Sequence, residues 1–189
     1  DHKRAYDNDE GLNTGGMGTF SPSAIYTKEV EDEVMNKIIL PTVDAMNKEG
    51  RTFKGVLYFG LMLTDEGAKV VEYNARFGDP ETQVVLPRLK TDLLDIFNAV
   101  VDGSLDKMDI QWSDDACVCV VLASGGYPES YQKGKEIVIG DIDDDILLFH
   151  AGTAIKDGKL VTSGGRVLGV TAKGKDIHEA RAKAYKAVS

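Results

Sequence analysis

Long apolar runs are missing from this 189-residue chain. The longest, Ala116–Ala123, falls well short of the roughly 20 residues a membrane-spanning helix needs, so such a helix is excluded. A surplus of positive charge is missing too. Asp and Glu number 31 against 22 Lys and Arg, for a formal net charge of -9, whereas broad binding to a phosphate backbone requires the opposite balance. No nucleic-acid partner and no membrane partner are therefore expected. A small, locally basic pocket for a phosphorylated metabolite remains compatible with that charge. Cysteine is scarce, with Cys117 and Cys119 the only two. Without a second Cys pair or a Cys/His set there is no zinc framework. Their i, i+2 spacing in an apolar run predicts two thiols on one face of a strand, buried in a reducing compartment. The opening Asp1-His2-Lys3-Arg4 holds no apolar segment of the kind that heads a secretory leader. The dense polar start, and a helical pattern that stops abruptly at Ser189, read as the interior of a longer polypeptide.

What is present is the composition of an ordered globular protein, 42% hydrophobic and 28% charged. The length fits one large domain or two small ones. Residues 11–20 form a Gly-rich loop. Thr27 is placed to cap a helix over 28–48 that carries Val30, Val34 and Ile38 on one stripe and is kinked or divided at Pro41. Strands are expected over 55–63 and 69–74, joined as a hairpin through Asp65-Glu66-Gly67. Helical patterns follow at 81–89 and 92–101. Beyond 103–113 the chain turns strand-rich, at 116–124, 136–139, 147–154, 159–162 and 166–171. A last helix over 176–188 is led by Asp176 and has Ala180, Ala184 and Val188 at i, i+4 spacing. The expectation is an α+β region over 1–105 joined to a small β-rich domain over 106–189.

The segment richest in chemistry is Glu72-Tyr73-Asn74-Ala75-Arg76. Side chains alternate along a strand, so Glu72, Asn74 and, if the strand continues, Arg76 share one face. A carboxylate beside an amide oxygen suits Mg²⁺, which is usually held by one or two carboxylates together with substrate phosphates. Arg76 would add a fork of donors matched to phosphate or carboxylate oxygens. The competing reading is an exposed strand face with a surface ion pair, worth only about 0–1 kcal/mol. Arg76-Phe77-Gly78-Asp79-Pro80-Glu81-Thr82-Gln83 then crowds an Arg, two carboxylates, a Gly and a Pro into a turn that opens a helix. The free N–H groups of that helix would face anions.

Arg76–Gln83 resembles the signature of the glycinamide ribonucleotide synthetase (phosphoribosylamine–glycine ligase) family of ATP-grasp enzymes. The likeness continues through Asp1-His2-Lys3-Arg4, Leu12-Asn13-Thr14-Gly15-Gly16-Met17-Gly18, Gly55-Val56-Leu57-Tyr58 and Gly164-Gly165-Arg166-Val167. The resemblance implies an α+β fold: the C-terminal half of an ATP-grasp domain, an antiparallel sheet with flanking helices, followed by a small barrel-sandwich-like domain. It implies ligation of glycine to 5-phosphoribosylamine with ATP, through a glycyl phosphate, in the cytoplasm. ATP and Mg²⁺ (or Mn²⁺) are the implied cofactors, and Glu72 and Asn74 the implied metal ligands. Arg76 is the implied catalytic residue, steadying acyl-phosphate oxygens. Asp1, Lys3, Asn13, Gly15, Gly16, Asp79 and Glu81 are the implied substrate-binding residues. Other ATP-grasp enzymes carry a further metal-binding Glu at the position that aligns with Gly60, which implies more water on the metal here. The substrate and adenine-clamping domains would lie upstream, so the chain alone is expected to bind Mg-ATP poorly and not to turn over. The alternatives are another ATP-grasp carboxylate–amine ligase or carboxylase, or a non-catalytic assembly module that uses the acidic turn Asp141–Asp145.

Overall fold

The computed structural model describes residues 1–189. In chain order it has strands β1 (Arg4–Tyr6), β2 (Glu10–Asn13) and β3 (Gly18–Ser21), then helices α1 (Lys28–Val34) and α2 (Leu40–Lys48). Strands β4 (Tyr58–Thr64) and β5 (Gly67–Asn74) precede helices α3 (Thr82–Val85) and α4 (Leu93–Asp102). Strands β6 (Ala116–Ala123), β7 (Ile146–His150), β8 (Thr153–Lys156), β9 (Lys159–Thr162) and β10 (Arg166–Gly174) lead to helix α5 (Ile177–Val188). These elements fall into two compact units, one of Asp1–Ser21, Asp79–Leu89 and Trp112–Ser189, the other of Pro22–Gly78 and Lys90–Gln111.

The first unit is built on an antiparallel sheet in the order β3-β6-β10-β7. Both faces of β6 are covered, which is why its sequence reads as a continuous apolar run rather than an alternation. On one face Ile146, Val170, Ala172 and Ala184 form a cluster joined by Val120 and Leu122. Ala180 and Ala184 of α5 are fully buried, and their small side chains let the helix lie close to the sheet. The opposite face carries Cys117 and Cys119 against Val84 of α3. Asp176 caps α5 by accepting from the Glu179 N–H at 2.8 Å.

The two thiols are free and buried, on one face as expected. Burial, with the neighbouring Cys119 adding to it, pushes the Cys117 thiol up to about 11, and burial raises Cys119 as well. A thiol in the unfolded chain ionises near roughly 8.5. Between those two pH values the folded chain keeps a proton that the unfolded chain releases, so this contribution to stability is full below the lower value and lost as pH rises. Iodoacetamide at pH 8 should therefore leave the native thiols unmodified and label both in urea. Rapid labelling of the native chain would mean that β6 is open to solvent.

In the second unit, α1 and α2 are joined by a π-helical turn over Met35–Ile39. Thr27 accepts from the Val30 N–H, as a cap does. As expected at Pro41, the helix is divided, into α1 and α2, while the backbone stays right-handed helical through Ile39 and Leu40. The wider turn just before Pro41 accommodates its ring and missing donor. The Thr42 hydroxyl donates to the Ile38 carbonyl at 2.6 Å. Strands β4 and β5 pair as a hairpin with Tyr58 opposite Asn74 and Gly60 opposite Glu72. The next pair is Leu61 with Val70, so Val71 is an extra, bulged residue. Helix α4 starts at an Asp92 cap and ends at Gly103, whose left-handed φ of 69° suits the position after a helix.

Several expectations need correction. The segment 136–139 is not a strand; Glu136 makes a single bridge to Val161 and Val138 is 85% exposed. With no core to face, its apolar residues lack the burial that would hold a ladder. The expected strand 147–154 is two strands, because the chain bends at Ala151 and Gly152. The Gly-rich loop expected over 11–20 is narrower, because β2 runs to Asn13 and β3 starts at Gly18; the polar start before it carries β1 and a 3₁₀ turn at Asp7–Asp9. The helix expected over 81–89 is a single α turn, α3, followed by a 3₁₀ turn at Leu86–Arg88. An element that short has little macrodipole, so the anion-facing helix end does not materialise. Pro80 lies two residues before α3, after a cis peptide bond to Asp79.

Candidate functional site

In the second unit, Glu72 and Asn74 lie two residues apart on β5, facing Gly60 and Tyr58 of β4 in register. Glu72 is exposed and its carboxylate enters no hydrogen bond or ion pair. A Cβ at Gly60 would lie 2.8 Å from the Glu72 Cγ. Glycine therefore leaves that carboxylate the room a larger residue would take. No group of three or more His, Cys, Asp and Glu side chains is placed to hold a metal. One carboxylate and one amide oxygen instead fit a hard cation that retains much of its water, as Mg²⁺ commonly does.

Arg76 lies beyond the strand. The strand ends at Asn74 and Arg76 stands in the following bend, where its guanidinium donates to the Phe77 carbonyl at 2.9 Å. Tyr73 and Ala75 line a cavity of about 680 Å³ with Thr42, Met46, Phe53 and Leu57, and Asn74 borders it. The Tyr73 and Thr42 hydroxyls are 3.5 Å apart.

In the first unit, the Gly-rich loop and the Asp79–Pro80 turn come together. Asp1 pairs with Lys3 at 2.5 Å, and the Asp1 side chain is only 8% exposed. Thr14 donates twice to the Lys3 carbonyl, from N–H at 2.7 Å and hydroxyl at 2.8 Å. Its hydroxyl then accepts the Gly16 N–H at 3.0 Å. Gly16 has φ +119°, and a Cβ there would lie 2.5 Å from Pro80 Cδ and 2.6 Å from Asp1 Oδ1. Only glycine takes that backbone in that space. The buried Thr19 hydroxyl donates to the Pro80 carbonyl at 3.0 Å.

Of the sequence-derived residues of this unit, Asp1, Lys3, Gly15, Gly16 and Asp79 therefore share one small region. Glu81 follows directly, at the start of α3. Asn13 closes β2 opposite Arg4, two residues before Gly15. Two residues without an expected role join them. Tyr127 accepts the Gly15 N–H through its hydroxyl at 3.0 Å. Arg166 donates from Nη1 to the Gly15 carbonyl and to the Asp79 carbonyl, each at 3.0 Å. It also pairs with Asp79 Oδ1 at 3.3 Å. The Gly164-Gly165 pair before Arg166 was the one signal of a close approach in the sequence; Tyr127 had none.

Comparison with known proteins gives a consistent picture. The family profile described as phosphoribosylglycinamide synthetase, ATP-grasp (A) domain, matches residues 1–82. The profile of the C domain of phosphoribosylglycinamide synthetase matches residues 117–189. A phosphoribosylamine–glycine ligase of Caldanaerobacter subterraneus is 52% identical over 188 residues, covering 100% of this chain and 45% of that protein. That of Agrobacterium fabrum is 52% identical over 186 residues, covering 98% of this chain and 44% of that protein. The crystal structure of phosphoribosylamine–glycine ligase from Thermotoga maritima superposes with a TM-score of 0.79 at 43% identity, covering 100% of this chain and 46% of that one. Biotin carboxylase of Campylobacter jejuni gives a TM-score of 0.61 at 14% identity over 91% of this chain and 38% of that one, a likeness of fold alone. The chain thus spans less than half the length of the curated relatives it matches.

Proposed function

We propose, since the chain belongs to the phosphoribosylglycinamide synthetase family, that its parent protein joins glycine to 5-phosphoribosylamine. The products are glycinamide ribonucleotide, ADP and phosphate, as a step of purine biosynthesis. The glycine carboxylate takes the γ-phosphoryl group of ATP, and the amine then displaces phosphate from the glycyl phosphate. The observation that carries this reading at the level of residues is the unpaired Glu72 carboxylate beside Asn74, with Gly60 opposite. Glu72 and Asn74 would hold Mg²⁺ (or Mn²⁺), which when bound offsets charge on the phosphate oxygens. Arg76 lies just past the strand, and its guanidinium would steady the acyl-phosphate oxygens. Asp1, Lys3, Asn13, Gly15 and Gly16 would border glycine and nucleotide, with Asp79 and Glu81 shaping the turn beside them.

The division into an ATP-grasp part over 1–105 and a barrel-sandwich-like domain over 106–189 belongs to the same proposal, supported by profiles that match on either side of it, although the compact units group Asp1–Ser21 and Asp79–Leu89 with Trp112–Ser189. Upstream domains of the same polypeptide would complete the nucleotide site, so the chain alone would not turn over. A cytoplasmic location fits a soluble metabolic ligase, and no helix here is long and apolar enough to cross a membrane.

The test is ADP release by the intact parent, with phosphoribosylamine generated in situ. Release that needs glycine and phosphoribosylamine together is the expected result. Release without glycine would assign a different acceptor to the ATP-grasp site. No release from a folded, Mg²⁺-supplied parent would overturn the ligase reading.

A further inference from the structure

We propose that Tyr127 and Arg166 are positioning residues that lock the Gly-rich loop onto the Asp79–Pro80 turn; this rests on the ligase reading above. The two peptide groups that flank the Gly15 Cα are each held. The Gly15 N–H goes to the Tyr127 hydroxyl and the Gly15 carbonyl accepts from Arg166, each at 3.0 Å. The same Arg166 nitrogen reaches the Asp79 carbonyl at 3.0 Å, so one guanidinium bridges two segments far apart in sequence. Asp79 Oδ1 completes the link, at 3.3 Å from Arg166 and 3.1 Å from the Gln83 amide nitrogen.

The residue types suit the task. A guanidinium offers several donors in a fixed plane, whereas a Lys ammonium at the end of a flexible stem does not hold two carbonyls in one geometry. The Arg166 side chain is only 21% exposed, which keeps water from competing for its partners. A Cβ on Gly15 would come within 3.0 Å of the Arg166 Cζ, so the loop backbone lies directly on the guanidinium. Gly165 supplies the other half of the platform. A Cβ there would lie 2.2 Å from the Tyr127 Cδ2, so the ring rests on bare backbone next to Arg166. Hydroxyl and guanidinium thus arrive at Gly15 from adjoining supports, and Gly16 behind it is pressed against Pro80 and Asp1. The strand-rich C-terminal stretch thereby shapes the loop instead of merely following it.

The experiment uses the intact parent with Tyr127→Phe, Arg166→Lys and the double variant. Two readouts are taken: kcat/KM for glycine, and amide hydrogen exchange over residues 14–18. Each single variant is expected to lower kcat/KM about tenfold, the scale of one lost hydrogen bond. The double variant should fall well short of the product of the two, because both hold the backbone of the same residue, Gly15. Exchange over 14–18 should quicken while β10 stays protected. The exchange readout stands even if the ligase reading fails, so the two failures can be told apart. Unchanged exchange in Tyr127→Phe would overturn the proposal, as would fully multiplicative effects on kcat/KM. A defect confined to Arg166→Lys and to KM would make Arg166 a direct substrate contact and overturn it too. If Arg166→Lys fails to fold, Tyr127→Phe alone decides through its exchange pattern.

Discussion

Replacing Glu72 by Gln in the intact parent should lower Mg²⁺-supported ADP formation by at least about 100-fold, the scale of deleting one electrostatic contact to a transition state. The expectation follows from the geometry of β4 and β5. Glu72 is exposed and unpaired, so Gln, which matches it in shape, costs the fold nothing. Thermal unfolding should stay within about 2 °C of the unaltered protein, because surface substitutions away from such contacts usually change stability by no more than about 0.5 kcal/mol. What Gln removes is the negative charge, and with it the one carboxylate available beside Asn74. Raising Mg²⁺ should recover part of the lost rate, since a weakened site is filled by mass action. If Glu72 were only a solvated residue on a strand face, activity and Mg²⁺ dependence would both be unchanged. That result would remove it from the metal site.

The second large effect belongs to stability. Gly152→Val should destabilise the first unit by about 3 kcal/mol, the upper part of the usual range for overpacking. A Cβ at residue 152 would lie 2.5 Å from the Arg166 carbonyl oxygen and 2.6 Å from the Gly164 Cα. Both are backbone atoms, so no side chain can turn aside to make room. The same contact carries hydrogen bonds, from the Gly152 N–H to the Arg166 carbonyl at 2.8 Å and from the Ser163 N–H to the Gly152 carbonyl at 2.7 Å. Spreading the strands to admit a side chain would lengthen both. The midpoint of thermal unfolding, followed by circular dichroism, should fall by about 10 °C for a unit of this size. Gly125→Ala is the matched control, because nothing lies within 4 Å of a Cβ there and its φ is ordinary. A Gly152→Val chain melting within about 2 °C of the parent sequence would mean that the close approach is not maintained in solution.

The parts of the fold legible in the sequence are those fixed by local pattern. The β6 run, the α5 helix behind Asp176 and the β4–β5 hairpin all announce themselves within a dozen residues. Strand β3 does not, because Gly18–Ser21 becomes a strand only by pairing with Ser21 opposite Cys117 and Gly18 opposite Val120. The apolar character of 136–139 misled for the converse reason: its residues look strand-like but meet β9 only at the Glu136–Val161 bridge, and Val138 stays exposed. The site divides in the same way. Glu72 and Asn74 follow from the two-residue period of a strand. Arg76 was expected on that face only if the strand continued, and the strand ends two residues before it. Tyr127 and Arg166 were invisible as a pair, since neither spacing nor local composition relates them to Gly15. Gly60 stood out only through the resemblance, and the register explains it by placing it opposite Glu72.

The sheet order also constrains how the chain can be made. A ribosome releases Gly18–Ser21 first, yet its partner β6 begins at Ala116, and the neighbour β10 ends only at Gly174. At roughly 5–20 residues per second, β3 must wait on the order of 5–20 s for β6 to be synthesised. During that interval the early strand has no edge to join, and the apolar β6 run in turn emerges before β10 can cover its other side. Contacts so distant along the chain slow folding and prolong the exposure of sticky segments. The nascent polypeptide should therefore lean on chaperones most heavily between the release of β6 and that of β10, and a pause engineered between those two strands should lower the soluble yield.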